Sequence, residues 1–259
     1  MTQTDAPKRT VISVSGPDRF EFLQGLITND VARLSEGLIY SALLTPQGKY
    51  LFDFFLFERE GAVLIDAVSE RAQQLSQLLN FYKLRKSVSI APSDIEVTSG
   101  LGTVPPGAMP DPRSPQLGWR QYGGAGKCGA EFDWDAIRVE HCIPESGIEL
   151  LPNTTFILEA GFERLNGVDF HKGCYVGQEV TARMKHKKNL AKGLATVLVE
   201  GNAQRGTEIL SNGRQVGKLF TRSGNKAIAF LRFDRLGQAP MSADGSAVRM
   251  ASGKTKCNG

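Results

Sequence analysis

The sequence predicts an α+β body followed by a small all-β module. Two observations point to this. Helical and strand periodicities alternate along the first part of the chain, and after Ala191 nearly every segment reads as short strand and turn. A stretch rich in glycine and proline, residues 100–130, marks the end of a sub-domain within the body.

The opening VISVSGPDRFEFLQGLITNDVARL reads as a strand, a start signal and a helix. Val11, Ile12 and Val14 supply β-branched bulk, Ser15 or Gly16 is placed to cap, and Pro17 suits a first helical turn. Phe20, Leu23 and Ile27, with Leu26 beside them, give one buried face, and the helix is expected to fray near Asn29. Three strands follow through GLIYSALLTPQGKYLFDFFLFEREGAVLIDAV, with turns at Thr45–Gly48 and Arg59–Gly61. Ser69 is expected to cap SERAQQLSQLLNFYKLRK, whose Ala72, Leu75, Leu78, Leu79 and Tyr82 line a helical face. DWDAIRVEHCIPESG reads as a short helix capped by Asp133 and stopped by Pro144, with Ile137, His141 and Cys142 turned inward. Beyond Ala191, GLATVLVE, GTEIL, GRQVGKLFTRS, KAIAFLRFD and AVRMAS predict a small antiparallel barrel or sandwich.

Composition narrows the function. The 259 residues are 41% hydrophobic and 22% charged, and no apolar run approaches the roughly 18 residues of a membrane span, so a water-soluble protein without membrane contact is expected. The first ten residues, MTQTDAPKRT, are polar and carry no apolar h-region, which argues against export and against a transit peptide. The four cysteines, Cys128, Cys142, Cys174 and Cys257, are widely spaced with no CxxC pair, which fits a reducing compartment. A bacterial-type cytoplasm is the expected location, with the mitochondrial matrix as second choice. A net charge of +4 produces no strong global field. Locally, Arg183, Lys185, Lys187, Lys188 and Lys192 crowd around His186, as a solvated helix end or as a site for phosphate, polyglutamate or RNA. No GxSxG, Walker A, HExxH or GxGxxG fingerprint stands in a convincing context.

The chemistry-bearing stretch is VDFHKGCYVGQEVTARMKHKK. Gly173 and Gly177 bracket Cys174, and the helix formers beyond Gly177 put Gln178 and Glu179 in a first turn. A thiol just before a helix N-terminus and two residues after Lys172 is placed where thiolate is favoured; the alternative is a small buried hydrophobe. A His171–Cys174 base–nucleophile pair would require the glycine turn to fold them together. Arg183 lies one helical turn beyond Glu179, which suits an intrahelical ion pair.

Lys172–Glu179, KGCYVGQE, resembles the signature of the YgfZ-type folate-binding proteins, relatives of the glycine-cleavage T-protein (aminomethyltransferase). The resemblance extends through residues 14–31, 40–57 and 137–150, so that it covers nearly the whole chain. It implies a T-protein-like three-domain cloverleaf with a central folate channel and a C-terminal antiparallel β-barrel. The implied division is 1–46 with 132–189 as a discontinuous α+β domain carrying the cysteine motif, 47–131 as a second α+β domain, and 190–259 as the barrel. It implies tetrahydrofolate, or a derivative, as cofactor, and a role in maturation or repair of iron–sulfur enzymes, including tRNA-modifying ones. Iron–sulfur assembly or client proteins would be the partners, with RNA contact through Lys185–Lys192. Cys174 would be the working thiol; Glu159, Lys172, Gly173, Tyr175, Gly177, Gln178, Glu179 and Arg183 would form the folate side. One departure stands out: in LEAGFERLNGVDF this chain has Gly161 where relatives often carry asparagine or aspartate, with Glu159 retained to read pterin N–H donors. Competing readings are a true aminomethyltransferase and a non-catalytic scaffold for an iron–sulfur carrier or RNA.

Overall fold

The computed structural model describes residues 6–124, 132–187 and 189–251; Cys128, Lys188 and Cys257 lie outside them. The chain packs into two units. Of the described residues, a sheet unit contains those from 6 to 132 together with Leu165–Gln178, and a barrel unit contains Asp133–Arg164 and those from Glu179 to 251.

The sheet unit is built on β1 (Arg9–Ser15), β2 (Ile39–Leu44), β3 (Tyr50–Arg59), β4 (Ala62–Val68) and β5 (Ser89–Ser93), in the order β2-β3-β4-β1-β5. All neighbours are antiparallel. One face is covered by α1 (Arg19–Gln24) and α2 (Ser69–Lys83), through Leu23, Leu75 and Leu79, with Ile27 just past α1, against Ile12, Phe54 and Ile65. The other face meets β6 (Val97–Gly100), β7 (Met109–Pro110) and β8 (Trp119–Tyr122) through Phe57, stacked 4.0 Å from Tyr122. Beneath this contact lies a charge network that spares Asp66 an unpaired burial, with Arg9 at 2.6 Å and Arg120 at 3.1 Å.

Two local expectations are corrected here. The first helix stops at Gln24 instead of fraying near Asn29, because the backbone that follows is claimed by β2: Thr28 N–H donates to Ala42 O and Asn29 N–H to Ser41 Oγ, both at 3.0 Å. Ser69 does not cap α2; it is the first helical residue, and its hydroxyl shares a 2.8 Å hydrogen bond with Thr10.

The barrel unit holds α3 (Trp134–His141), α4 (Gln178–Lys185) and six strands: β9 (Gly193–Glu200), β10 (Glu208–Ser211), β11 (Arg214–Ser223), β12 (Lys226–Leu231), β13 (Met241–Ala243) and β14 (Ser246–Met250). They close in the order β10-β11-β12-β9-β14-β13, so no strand edge remains open. Val197, Val216, Leu219, Ala229 and Val248 fill the interior. Asp133 caps α3 as expected, accepting from Ala136 N–H. Its buried face is Arg138 and Val139 instead of Ile137 and His141. The reason is electrostatic as much as apolar: buried Glu149 accepts from Arg138 at 3.1 Å and from the Thr221 hydroxyl at 2.5 Å, which draws the guanidinium inward.

Candidate functional site: a caged lysine, an exposed thiol and a cation-lined cavity

Within the sheet unit, Leu165–Gln178 is laid along the segment that follows α1 and is fastened to it at successive points. Asn29 Nδ2 donates to Asn166 O at 2.8 Å, Thr28 Oγ1 to Gly167 O at 2.6 Å, and Asp169 N–H to Thr28 O at 3.0 Å. Val176 N–H donates to Gly25 O at 3.2 Å. Lys172 gathers one carbonyl from the helix end, where intrahelical partners run out, and two from the turn beyond it. Its Nζ donates to the carbonyls of Gln24 (2.8 Å), Ile27 (2.6 Å) and Asn29 (3.0 Å), and stands 5.0 Å from the centre of the Tyr175 ring. Burial pushes this ammonium down to about 8, with Asp30 and Asp169 pulling the other way. All three ammonium protons are used in the cage, so Lys172 acts here by holding the loop.

The residues that follow alternate inward and outward. Lys172 and Tyr175 are buried; Gly173 and Cys174 are exposed, and the Cys174 thiol is free. His171 is exposed, its backbone N–H donating to Asp169 Oδ1, and among the described residues no hydrogen bond joins its ring to Cys174. Gly177 is the glycine that the turn requires: φ is +83°, and a Cβ there would lie 2.6 Å from Thr45 O. At Gly173 a Cβ would meet nothing within 4 Å. Gln178 is half-buried and closes the turn through its N–H to Tyr175 O at 3.2 Å.

In the barrel unit, α4 places Glu179 and Arg183 one turn apart, and they form an exposed ion pair at 2.7 Å, as their spacing suggested. Lys185 is bridged to Glu163 and Lys192 reaches Glu159 at 3.7 Å, so the basic run is partly neutralised, while His186 and Lys187 remain exposed. Glu159 is buried and borders a cavity of about 360 Å³. Lys192, Lys218, Arg232 and Arg235 also line it, with Phe220 and Phe230 as apolar walls. Arg232 Nε is buried with no hydrogen-bond partner among the described residues. The departure at Gly161 has a conformational basis: its φ of +80° is one that glycine adopts without strain.

Chemically, the sheet unit offers an accessible thiol on a loop fixed from below, and the barrel unit offers a carboxylate and several cations around an aromatic-walled cavity. Sequence reasoning missed the cage oxygens of Gln24, Ile27 and Asn29 and the cations Lys218, Arg232 and Arg235. The cage uses backbone oxygens, which carry no residue signature. Lys218 lies in β11, while Arg232 and Arg235 belong to the short turn after β12, so no single periodicity in the sequence groups them.

Comparison with known proteins adds the family. The model for the CAF17 C-terminal β-barrel domain matches residues 192–253. Iron–sulfur cluster assembly factor IBA57, mitochondrial, of Mus musculus is 30% identical, over 88% of this chain and 76% of the mouse protein. The Homo sapiens protein of the same name is 28% identical, over 94% of this chain and 82% of its own length. The solved glycine cleavage system aminomethyltransferase T of Bartonella henselae superposes with a TM-score of 0.72 over 93% of this chain and 81% of that one, at 16% identity. That likeness, with the closed six-stranded barrel, establishes an aminomethyltransferase-like fold. The expected bacterial-type cytoplasmic location is overturned: these relatives are named mitochondrial, which points to the mitochondrion. That expectation rests on the polar first ten residues and the wide cysteine spacing, neither of which fixes a compartment. At this identity and coverage, the chain belongs to the IBA57 family.

Proposed function

We propose that this protein acts in iron–sulfur cluster assembly, as its relatives are named to do, and that Cys174 is the working group, a thiolate that transiently ligates iron during transfer to client enzymes. The observation that carries the reading is the exposed Cys174 thiol on a loop anchored by the Lys172 cage. Among the described residues no three His, Cys, Asp or Glu side chains gather to hold a metal, so the remaining ligands would come from the protein that donates or accepts the cluster. The KGCYVGQE stretch extends the proposal to the YgfZ type, with tRNA-modifying enzymes among the clients and the three-part domain division that goes with it.

Tetrahydrofolate is the proposed small-molecule ligand. Glu159 would accept from pterin N–H donors, the phenylalanine walls suit its aromatic parts, and Lys192, Lys218 and Arg232 suit a glutamate tail. RNA contact through Lys185–Lys192 would have to compete with the acidic partners that Lys185 and Lys192 already hold. The test combines anaerobic calorimetry with a cluster-transfer assay. Wild type and Cys174→Ser should both bind tetrahydrofolate saturably, and the variant should lose transfer. No binding by either protein removes the folate part; full transfer by the variant removes the thiol part. The aminomethyltransferase-like fold favours a second reading, aminomethyl transfer itself, which predicts methylene-tetrahydrofolate formation with a lipoyl carrier; we expect none.

A further inference from the structure

The end of α2, NFYKLRK from Asn80 to Lys86, belongs to neither of the sites described above. The helix buries Ala72, Leu75 and Leu79, and Phe81, two positions after Leu79, turns to the opposite side. Phe81 is 73% exposed and Leu84 is 86% exposed. Scattered exposed apolar residues need no explanation, but this pair sits within one helical turn and coincides with a strained backbone.

Leu84 has φ +47° and ψ −111°, and the turn is closed by Lys86 N–H donating to Lys83 O at 2.9 Å. These are the angles of the first central residue of a type II′ turn, a position that glycine dominates. The fold fixes the turn from both sides. The helix holds Lys83; beyond the turn, Ser87 N–H donates to the Asp18 carboxylate at 2.7 Å and Lys86 pairs with Glu21 at 2.5 Å. The chain must therefore reverse here, and glycine would let it do so without strain. Leucine instead adds backbone strain and an apolar side chain held in water, two terms that oppose folding of the free protein. Its side chain is of use to a surface that covers it.

Charge indicates what that surface is. Lys83 and Arg85 flank Leu84, and the side chain of neither makes an ion pair or hydrogen bond among the described residues, whereas Lys86 is offset by Glu21. Beyond exposed Glu70 in the first turn, the outward face of α2 leading to the patch is uncharged, formed by Gln73, Gln74, Gln77 and Asn80. Two uncommitted cations are too few for nucleic acid, which is held through many phosphates, and a leucine gives bases no stacking platform. An amide-rich face also lacks the lysine and arginine density of helices that lie on membranes.

We propose that Phe81 and Leu84, with Lys83 and Arg85, form a docking surface for an acidic protein: its apolar pocket takes the two side chains, and its carboxylates meet the two cations. This surface is independent of the thiol and folate readings.

The test places a photo-cross-linking amino acid at Phe81 in the full chain, in the cells that produce it, with Leu210 of the barrel as control position and the cross-linked peptides identified by mass spectrometry. The expected product is an acidic segment of another protein. Its yield should fall about tenfold with Leu84→Gly or Arg85→Glu, the equivalent of about 1.4 kcal/mol. Leu84→Gly should meanwhile leave the melting temperature unchanged or higher, because it removes strain. The proposal is overturned if the yield at Phe81 does not exceed that at Leu210, or if lipid, RNA or a second copy of this chain is captured. It is equally overturned if Leu84→Gly lowers the melting temperature and leaves the yield intact.

Discussion

The ammonium of Lys172 donates to the backbone oxygen of Ile27 across 2.6 Å, the shortest of the three bonds that hold it. The partner residues stand 143 to 148 positions away in sequence, so the lysine fastens the thiol-bearing loop to the end of the first helix. Lys172→Met removes the donor and leaves the buried oxygens unsatisfied. It should cost about 2–4 kcal/mol in urea unfolding. Lys172→Arg should not restore the loss, because a planar fork cannot supply three converging donors from one nitrogen.

The pH dependence of the same residue has a defined sign. Its pKa is lowered from 10.5 to about 8 in the folded protein, with burial as the leading cause. Between these values the unfolded chain holds more protons than the folded one, so the Lys172 contribution to stability increases with pH. The stability difference between wild type and Lys172→Met should therefore grow from pH 8 to pH 10. A difference that shrinks over that window would show that the carbonyl cage holds the proton more tightly than burial expels it.

Cys174 is exposed, so its substitution tests function with little effect on the fold. Cys174→Ala should change unfolding free energy by less than about 0.5 kcal/mol. Iodoacetamide should modify this residue in the folded protein, and maturation of iron–sulfur client enzymes should be lost in the variant.

Gly177 sets the backbone beyond the thiol. Gly177→Ala forces a side chain into a φ of +83° and against Thr45 O, and should cost roughly 2 kcal/mol or more. Gly173→Ala, at a position with open space, should cost less than about 1 kcal/mol. Thermal melts of the two variants separate a conformational role from a shared motif role.

Glu179 and Arg183 are bonded to each other on the surface of α4. Arg183→Ala should lower stability by no more than about 0.5 kcal/mol, with the difference vanishing in high salt. If Arg183→Ala also leaves tetrahydrofolate binding unchanged in calorimetry, Arg183 is removed from the folate side.

What the sequence determined by itself is the part of the molecule governed by neighbours along the chain. The apolar spacing of Ala72, Leu75 and Leu79 specified α2, the short glycine-punctuated runs after Ala191 specified the barrel strands, and Asp133 specified a cap. The spacing of Glu179 and Arg183 specified their ion pair in the same way. The first helix ended early because Thr28 and Asn29 hydrogen-bond to β2, a competitor that helical periodicity does not register. Lys172 looked like an activator of Cys174 because the two are close in sequence; tertiary structure gave its three protons to carbonyls of a distant segment. Likewise Glu159 met Lys192 and a cavity only once strands far along the chain closed into a barrel. Side-chain periodicity reports which face of an element is apolar. Which carbonyl, cation or cavity a polar group meets depends on segments brought together across the whole chain, and that only the fold decided.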